Sequence, residues 1–157
     1  PKISTYDLQP EMNAKEVTKS VLKAINEQKY DAIIMNYANP DMVGHTGSLD
    51  AAIKAIETID ECVGKVVTAT KLNNASVFLT ADHGNLEMMI DPKTGNPHTA
   101  HTTLPVPPVL DCNNKDYSLK SNGKLADIAP TILSYLSLPC PPEMTGNNLL
   151  IGKEKII

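Results

Sequence analysis

Arginine is absent from this 157-residue chain: all 14 basic residues are lysine, and they are scattered singly. Arg is the side chain that grips phosphate or carboxylate through two parallel N–H groups, so any such clamp must come from elsewhere. A net charge of -4 and a pI near 5.5 leave no basic surface for a polyanion, and no nucleic-acid partner is expected. Cysteine is scarce as well. Cys62, Cys112 and Cys140 are odd in number and form no CxxC pair, which argues against a zinc knuckle or a disulfide framework and fits a reducing, cytoplasmic setting. No apolar run approaches the ~20 residues of a membrane span, and no charged-then-apolar leader opens the chain, so no membrane partner is expected. An initiator methionine is also missing; the chain opens Pro1-Lys2-Ile3, as processing or a cut would leave it.

What is present is enough apolar material, 41% of residues, for one compact soluble unit. Asn13 with Glu16 three positions on has the pattern of a capping box, and Val17, Val21, Leu22 and Ile25 then recur at helical spacing to about Gln28. Asp31 to Asn36 is a short unalternating apolar run, as expected of a strand buried on both faces. Ser48 can cap a long helix whose Leu49, Ala52, Ile53, Ile56, Ile59, Val63 and Val66 make an apolar stripe to about Thr70. "SVFLTA" (Ser76 to Ala81) reads as a second buried strand. Helix, strand, helix, strand in that order predicts a parallel sheet with right-handed crossovers. The proline-rich stretch after it is mainly loop, although "TTLPVPPVL" can give an edge strand. Asp127 can cap a last helix over Ile128 to Leu136, with Pro130 tolerated in its first turn.

The chemistry gathers where the predicted strands end. In "NPDMVGHTG", Asp41 and His45 stand four residues apart, so on one helical turn they face the same way and can chelate one ion. Asp82 and His83 follow the second strand; adjacent side chains diverge in extended backbone and can face two different ions. Open α/β sheets collect ligands beyond the carboxyl ends of their strands, which brings both pairs to one edge. His98 and His101 add two imidazoles on the proline-rich loop. Asp with neutral His suits Mn²⁺ or Zn²⁺, whereas an all-oxygen set would suit Mg²⁺ or Ca²⁺. Taken singly, each of these residues is an ordinary turn or cap residue; four histidines in two Asp/His clusters and one neighbouring loop outweigh that. For His98 a loop role is preferred. Asp127 is most simply an N-cap, Ser48 a cap and Thr46 a hydrogen-bonding residue.

The motifs "NYANPDMVGHTG", "TADHGNLEMM", "PHTAHTTLPVP", "LADIAPTIL" and "EMTG", in this order, resemble the C-terminal part of the phosphatase domain of the cofactor-independent phosphoglycerate mutases, within the alkaline phosphatase superfamily. "TYDLQPEM" matches as well, so the resemblance covers essentially the whole chain. Two small departures, Leu104 where asparagine is common and Pro108 where an aromatic is common, touch only local loop contacts. The resemblance implies a three-layer αβα sandwich with a mainly parallel sheet, of which residues 1–157 form part. It implies two divalent ions, Mn²⁺ with Mg²⁺ or Co²⁺ as alternatives, and no 2,3-bisphosphoglycerate. Asp41, His45 and His101 match the ligands of one ion, and Asp82 and His83 match two ligands of the other. The remaining aspartate, the nucleophilic serine and an arginine-rich phosphotransferase domain lie upstream in family members. The implied activity of the parent is an isomerase reaction of glycolysis, interconverting 3- and 2-phosphoglycerate through a phosphoserine, by a monomer. The chain alone is then expected to be inactive. Rival readings are another enzyme of the superfamily, such as a phosphopentomutase, phosphodiesterase or sulfatase, and a non-catalytic metal-binding module.

Overall fold

The computed structural model describes residues 2–113 and 116–152. Pro1, where the chain begins without methionine, lies outside them. Two units form: Pro1–Asn74 with His83–Val106, and Ala75–Asp82 with Pro107–Ile157. Among the described residues no helix is long and apolar enough to cross a membrane.

In the first unit a 3-10 turn, Tyr6–Leu8, leads to helices α1 (Ala14–Asn26), α2 (Asn39–Gly44) and α3 (Leu49–Leu72). On α1, Ala14, Thr18, Val21 and Ile25 fall on one buried stripe. Thr18 is buried at little cost because its hydroxyl donates to the Ala14 carbonyl (2.7 Å) and bonds the Tyr37 hydroxyl (2.6 Å). Val21 and Ile25 pack on Ala69 of α3, flanked by Val17, Leu22, Met35 and Val66. Each of the two aliphatic chains contributes about 1.5–3 kcal/mol by leaving water. The helix stops where Gln28 turns left-handed (φ 49°). Its expected capping box does not form: Asn13 already has near-helical angles (φ -106°, ψ 17°), so its side chain is not placed to reach back to the first turn.

α3 begins as expected, with the Ser48 hydroxyl accepting the Ala51 N–H (3.4 Å), a cap that contributes about 1 kcal/mol. Its buried face differs from the predicted stripe. Ala51, Ala52, Ala55, Cys62 and Ala69 are inside, while Leu49, Ile53 and Ile56 stay about half exposed. Small side chains on the inner face let α3 approach its neighbours closely, with Val43 of α2, Met89, Tyr6 and Leu86 packed on the alanines.

The run Asp31 to Asn36 forms no strand, and Ile34 is 98% exposed. An apolar segment becomes a strand only when a neighbour pairs its N–H and C=O groups, and none of the described residues does so here.

The second unit contains β1 (Val77–Leu79), β2 (Val109–Asp111), β3 (Ser118–Leu119), α4 (Ile128–Tyr135) and β4 (Leu150–Ile151). β1 pairs antiparallel with β2, Phe78 opposite Leu110, and β3 pairs antiparallel with β4. The fold is α/β, yet both strand pairs among the described residues are antiparallel, because the first strand needed for a parallel pair is not formed. β2 starts just after Pro107 and Pro108, which lack the N–H a strand interior requires.

Asp127 is not the side-chain cap expected of it. Its carboxylate accepts the backbone N–H groups of Asn147 (2.7 Å) and Lys124 (2.9 Å) and so ties the "EMTG" loop to the start of α4. Thr131 completes the joint: its hydroxyl donates to the Asp127 carbonyl and accepts from the Leu149 N–H. The Asn147 N–H, then the Lys124 N–H, hold the Asp127 carboxyl below its ordinary range. A carboxyl depressed in the folded state contributes stability above its unfolded pKa, about 4, and loses it as pH falls through the folded value. Asp127→Asn should therefore flatten the acid-unfolding limb below about pH 4, as followed by circular dichroism. An unchanged limb would show that the two N–H bonds carry no net weight.

Candidate metal centre

α2 realises the helical turn that the Asp41/His45 spacing requires, since the His45 N–H donates to the Asp41 carbonyl (3.1 Å). Pro40 fits the first turn of α2, and the buried Asn39 donates its amide to the Pro10 carbonyl (2.7 Å), anchoring the helix start. The other half of the site comes from a pair of segments stitched together by the bridge between Gly84 and Thr102, whose N–H donates to the Gly84 carbonyl (2.9 Å). In that antiparallel bridge His83 and His101 lie diagonally across the pair, on the face opposite Gly84 and Thr102, where two rings can still reach each other. Their rings stack with centroids 3.7 Å apart and planes 17° from parallel.

Three atoms converge at the centre. Asp41 Oδ1 lies 3.1 Å from His45 Nε2 and 2.9 Å from His101 Nε2, and the two imidazole nitrogens are 3.1 Å apart. His83 Nε2 stands 3.9 Å from the same carboxylate oxygen. Asp41, His83 and His101 each offer a ligand atom within 4.8 Å of the others, with His83 at the edge of the Asp41 cluster, beside His101.

The hydrogen bonds decide what these atoms carry. His45 Nδ1 is 2.7 Å from the Thr99 carbonyl oxygen. A carbonyl can only accept, so Nδ1 holds the proton and the neutral ring directs a lone pair from Nε2. That lone pair faces a carboxylate oxygen and a second imidazole nitrogen. A cation among the three atoms, or a proton carried on His101 Nε2, makes that arrangement favourable. Ligands bound at about 2.1 Å and at right angles lie about 3 Å apart, the spacing of this triangle. A nitrogen–nitrogen–oxygen donor set suits a borderline divalent ion.

Asp41 is kept ionised by its neighbours. Burial opposes it, but the Asn85 amide, which donates to Oδ1 (2.8 Å), and then the three imidazoles hold its carboxyl below the ordinary range. Glu87 sits behind. Its carboxylate takes the Thr102 hydroxyl and the Asn85 backbone N–H (2.7 Å). Burial again opposes ionisation, and the Thr102 hydroxyl, the Glu87 and Asn85 N–H groups and His98 overcome it. A Cβ at Gly84 would meet the Thr102 hydroxyl and the Glu87 carboxylate, and both side-chain ends would have to move aside.

Of the residues singled out in the sequence, Asp41, His45, His83 and His101 meet. Asp82 falls at the end of the other unit. His98 lies on the hairpin closed by Ile90 and Pro97, its N–H donating to the Met89 carbonyl (2.9 Å). Asn85, Glu87 and Thr102 were not singled out. Their only signal was proximity to "DHG" and "HTT", and polar residues beside a motif are too common to be informative.

The Metalloenzyme superfamily model matches residues 1–140. Over 153 residues the chain is 58% identical to a 2,3-bisphosphoglycerate-independent phosphoglycerate mutase of Clostridium beijerinckii, covering 98% of this chain and 30% of that protein. A protein of the same name from Vibrio cholerae is 57% identical over 149 residues, covering 95% of this chain and 29% of its own. Among solved structures, Leishmania mexicana phosphoglycerate mutase at low cobalt concentration superposes with a TM-score of 0.88 at 28% identity, over 98% of this chain and 30% of that one. The chain thus spans about three tenths of the length of the relatives it matches.

Proposed function

The chain belongs to the metalloenzyme superfamily, and from that membership we propose that it is the metal-holding part of a phosphoglycerate mutase that needs no 2,3-bisphosphoglycerate. The observation that carries this is the triangle of Asp41 Oδ1, His45 Nε2 and His101 Nε2, three converging polar atoms 2.9–3.1 Å apart. High identity to proteins of that name supports the choice within the superfamily. In this reading Asp41, His45 and His101 hold one divalent ion, Mn²⁺ by preference, and Asp82 with His83 contribute to a second.

Divalent ions held there supply charge neutralisation for phosphoryl oxygens and a lowered pKa for a coordinated hydroxyl. The chain's own residues do the positioning. The Thr99 carbonyl keeps the His45 proton on Nδ1, so that in the neutral ring the Nε2 lone pair is the one that faces an ion. The Asn85 amide keeps the Asp41 carboxylate ionised and turned inward. The nucleophilic serine and the groups that hold phosphoglycerate are assigned to sequence outside these 157 residues, consistent with the absence of arginine from them. The reaction is the interconversion of 3- and 2-phosphoglycerate, a glycolytic step, in a monomer of the cytoplasm. The architecture proposed for the complete domain is a three-layer sandwich in which the exposed run Asp31 to Asn36 becomes a strand; the superposition on the Leishmania enzyme supports it.

An enolase-coupled assay tests the assignment. The full-length protein should turn over 3-phosphoglycerate with Mn²⁺, lose at least about 100-fold of its rate in EDTA, and recover when Mn²⁺ is returned. The 157-residue chain alone should give none. Turnover that ignores EDTA, or full activity in the short chain, would overturn it; metal binding without turnover in the full-length protein would favour a non-catalytic module.

A further inference from the structure

Behind the metal-facing atoms runs a continuous chain of hydrogen bonds. The Thr102 hydroxyl donates to Glu87 Oε1. The Asn85 N–H donates to Glu87 Oε2 at 2.7 Å, and the Asn85 amide donates to Asp41 Oδ1 at 2.8 Å. Thr102 adjoins His101 in sequence, and its own N–H is bonded to the Gly84 carbonyl next to His83. The chain therefore joins Asp41 to His101 by a second route that does not pass through the centre.

One detail shows that this route is under constraint. Asn85 is 5% exposed and its Oδ1 is buried without a hydrogen-bond partner among the described residues. Turning the amide over would point that oxygen at the Asp41 carboxylate, acceptor against acceptor, which is worse. The amide is thus held in one orientation by Asp41, and an orphaned buried carbonyl is tolerated for it.

We infer that Asn85, Glu87 and Thr102 form a positioning clamp that fixes the distance between the Asp41 carboxylate and the His101 ring, and thereby sets the affinity of the centre for its ion. None of the three touches the ion; they act through Asp41 and His101. The inference rests on the metal-centre assignment made above. Groups one layer behind metal ligands characteristically change affinity by 10–100-fold.

The test uses Mn²⁺ alone, titrated into the full-length protein and followed by the EPR signal of free Mn²⁺. Thr102→Val keeps the shape but removes the hydroxyl and should weaken binding by about 10-fold or more. Thr102→Ser restores the hydroxyl and should bind within about twofold of the parent. A purely structural role for Thr102 would lower the melting temperature of the metal-free protein and leave the affinity of the folded protein alone. If Thr102→Val does not fold, Glu87→Gln, which keeps size and one acceptor, should show the same weakening. Unchanged Mn²⁺ affinity in the folded variant overturns the clamp while leaving the metal centre standing. A parent protein that binds no Mn²⁺ overturns both.

Discussion

Asp41→Asn is expected to reduce Mn²⁺ affinity of the full-length protein by at least about 100-fold, with the proposed mutase turnover falling to background. Asp41 is the one anion in a cluster whose other members, His45, His83 and His101, are imidazoles. Removing a group one layer behind the ligands already costs 10–100-fold, so neutralising the central ligand must cost more. Asparagine matches the shape of aspartate and can still accept the Asn85 amide, so α2 should stay in place and the loss should be one of charge. Isothermal titration with Mn²⁺, beside a thermal melt of the metal-free protein, separates the two effects. An affinity within about threefold of the parent would remove Asp41 from the ligand set. Binding in the parent should also weaken on acidification, because the converging nitrogens must give up their protons to serve as ligands.

Gly146→Ala should be the most damaging single change in the second unit. A Cβ at Gly146 would overlap the Ala126 carbonyl, with the Asp127 nitrogen only 3.0 Å away. Those neighbours are main chain, and they belong to the turn that Asp127 and Thr131 tie to the 147–149 segment. A flexible side chain could swing aside; a bonded backbone cannot. The expected cost is about 3 kcal/mol, at the upper end of overpacking penalties, equivalent to roughly 10 °C in melting temperature for a chain of this size. A melt shifted by less than about 2 °C would mean that the loop relaxes freely.

The helices were largely legible in the sequence because local periodicity and caps report on local structure. α1, α3 and α4 fall within two residues of their expected ends, and Ser48 caps as foreseen. The inner face of α3 was legible only in part. Alanine carries a weak apolar signal beside isoleucine, so the stripe that caught Ala52 and Val66 also drew in Leu49, Ile53 and Ile56, which stay about half exposed, although close helix contact favours the smaller residues. Strand formation at Asp31 to Asn36 failed for a different reason: apolarity is local, whereas pairing needs a partner. At the candidate metal centre the spacing of Asp41 and His45 was readable because a helical turn fixes it. That His83 would stack on His101 was not, since it depends on a bridge between Gly84 and Thr102. The donation from Asn85 to Asp41 spans 44 residues, and no local pattern announces such a bond.

His45 and His101 are 56 residues apart in sequence. An ion shared between them would act as a removable cross-link, closing a loop that contains all of α3. By the chain-entropy relation used for covalent bridges, closing a loop of that length reduces the freedom of the unfolded chain by an amount equivalent to about 4 kcal/mol at room temperature. Metal supply would then govern the lifetime of the folded protein as well as its chemistry. Chelation should convert a ring closed through the ion into an open chain held by side-chain contacts alone, and the segment from His83 to Thr102 should be among the first to become accessible to proteolysis.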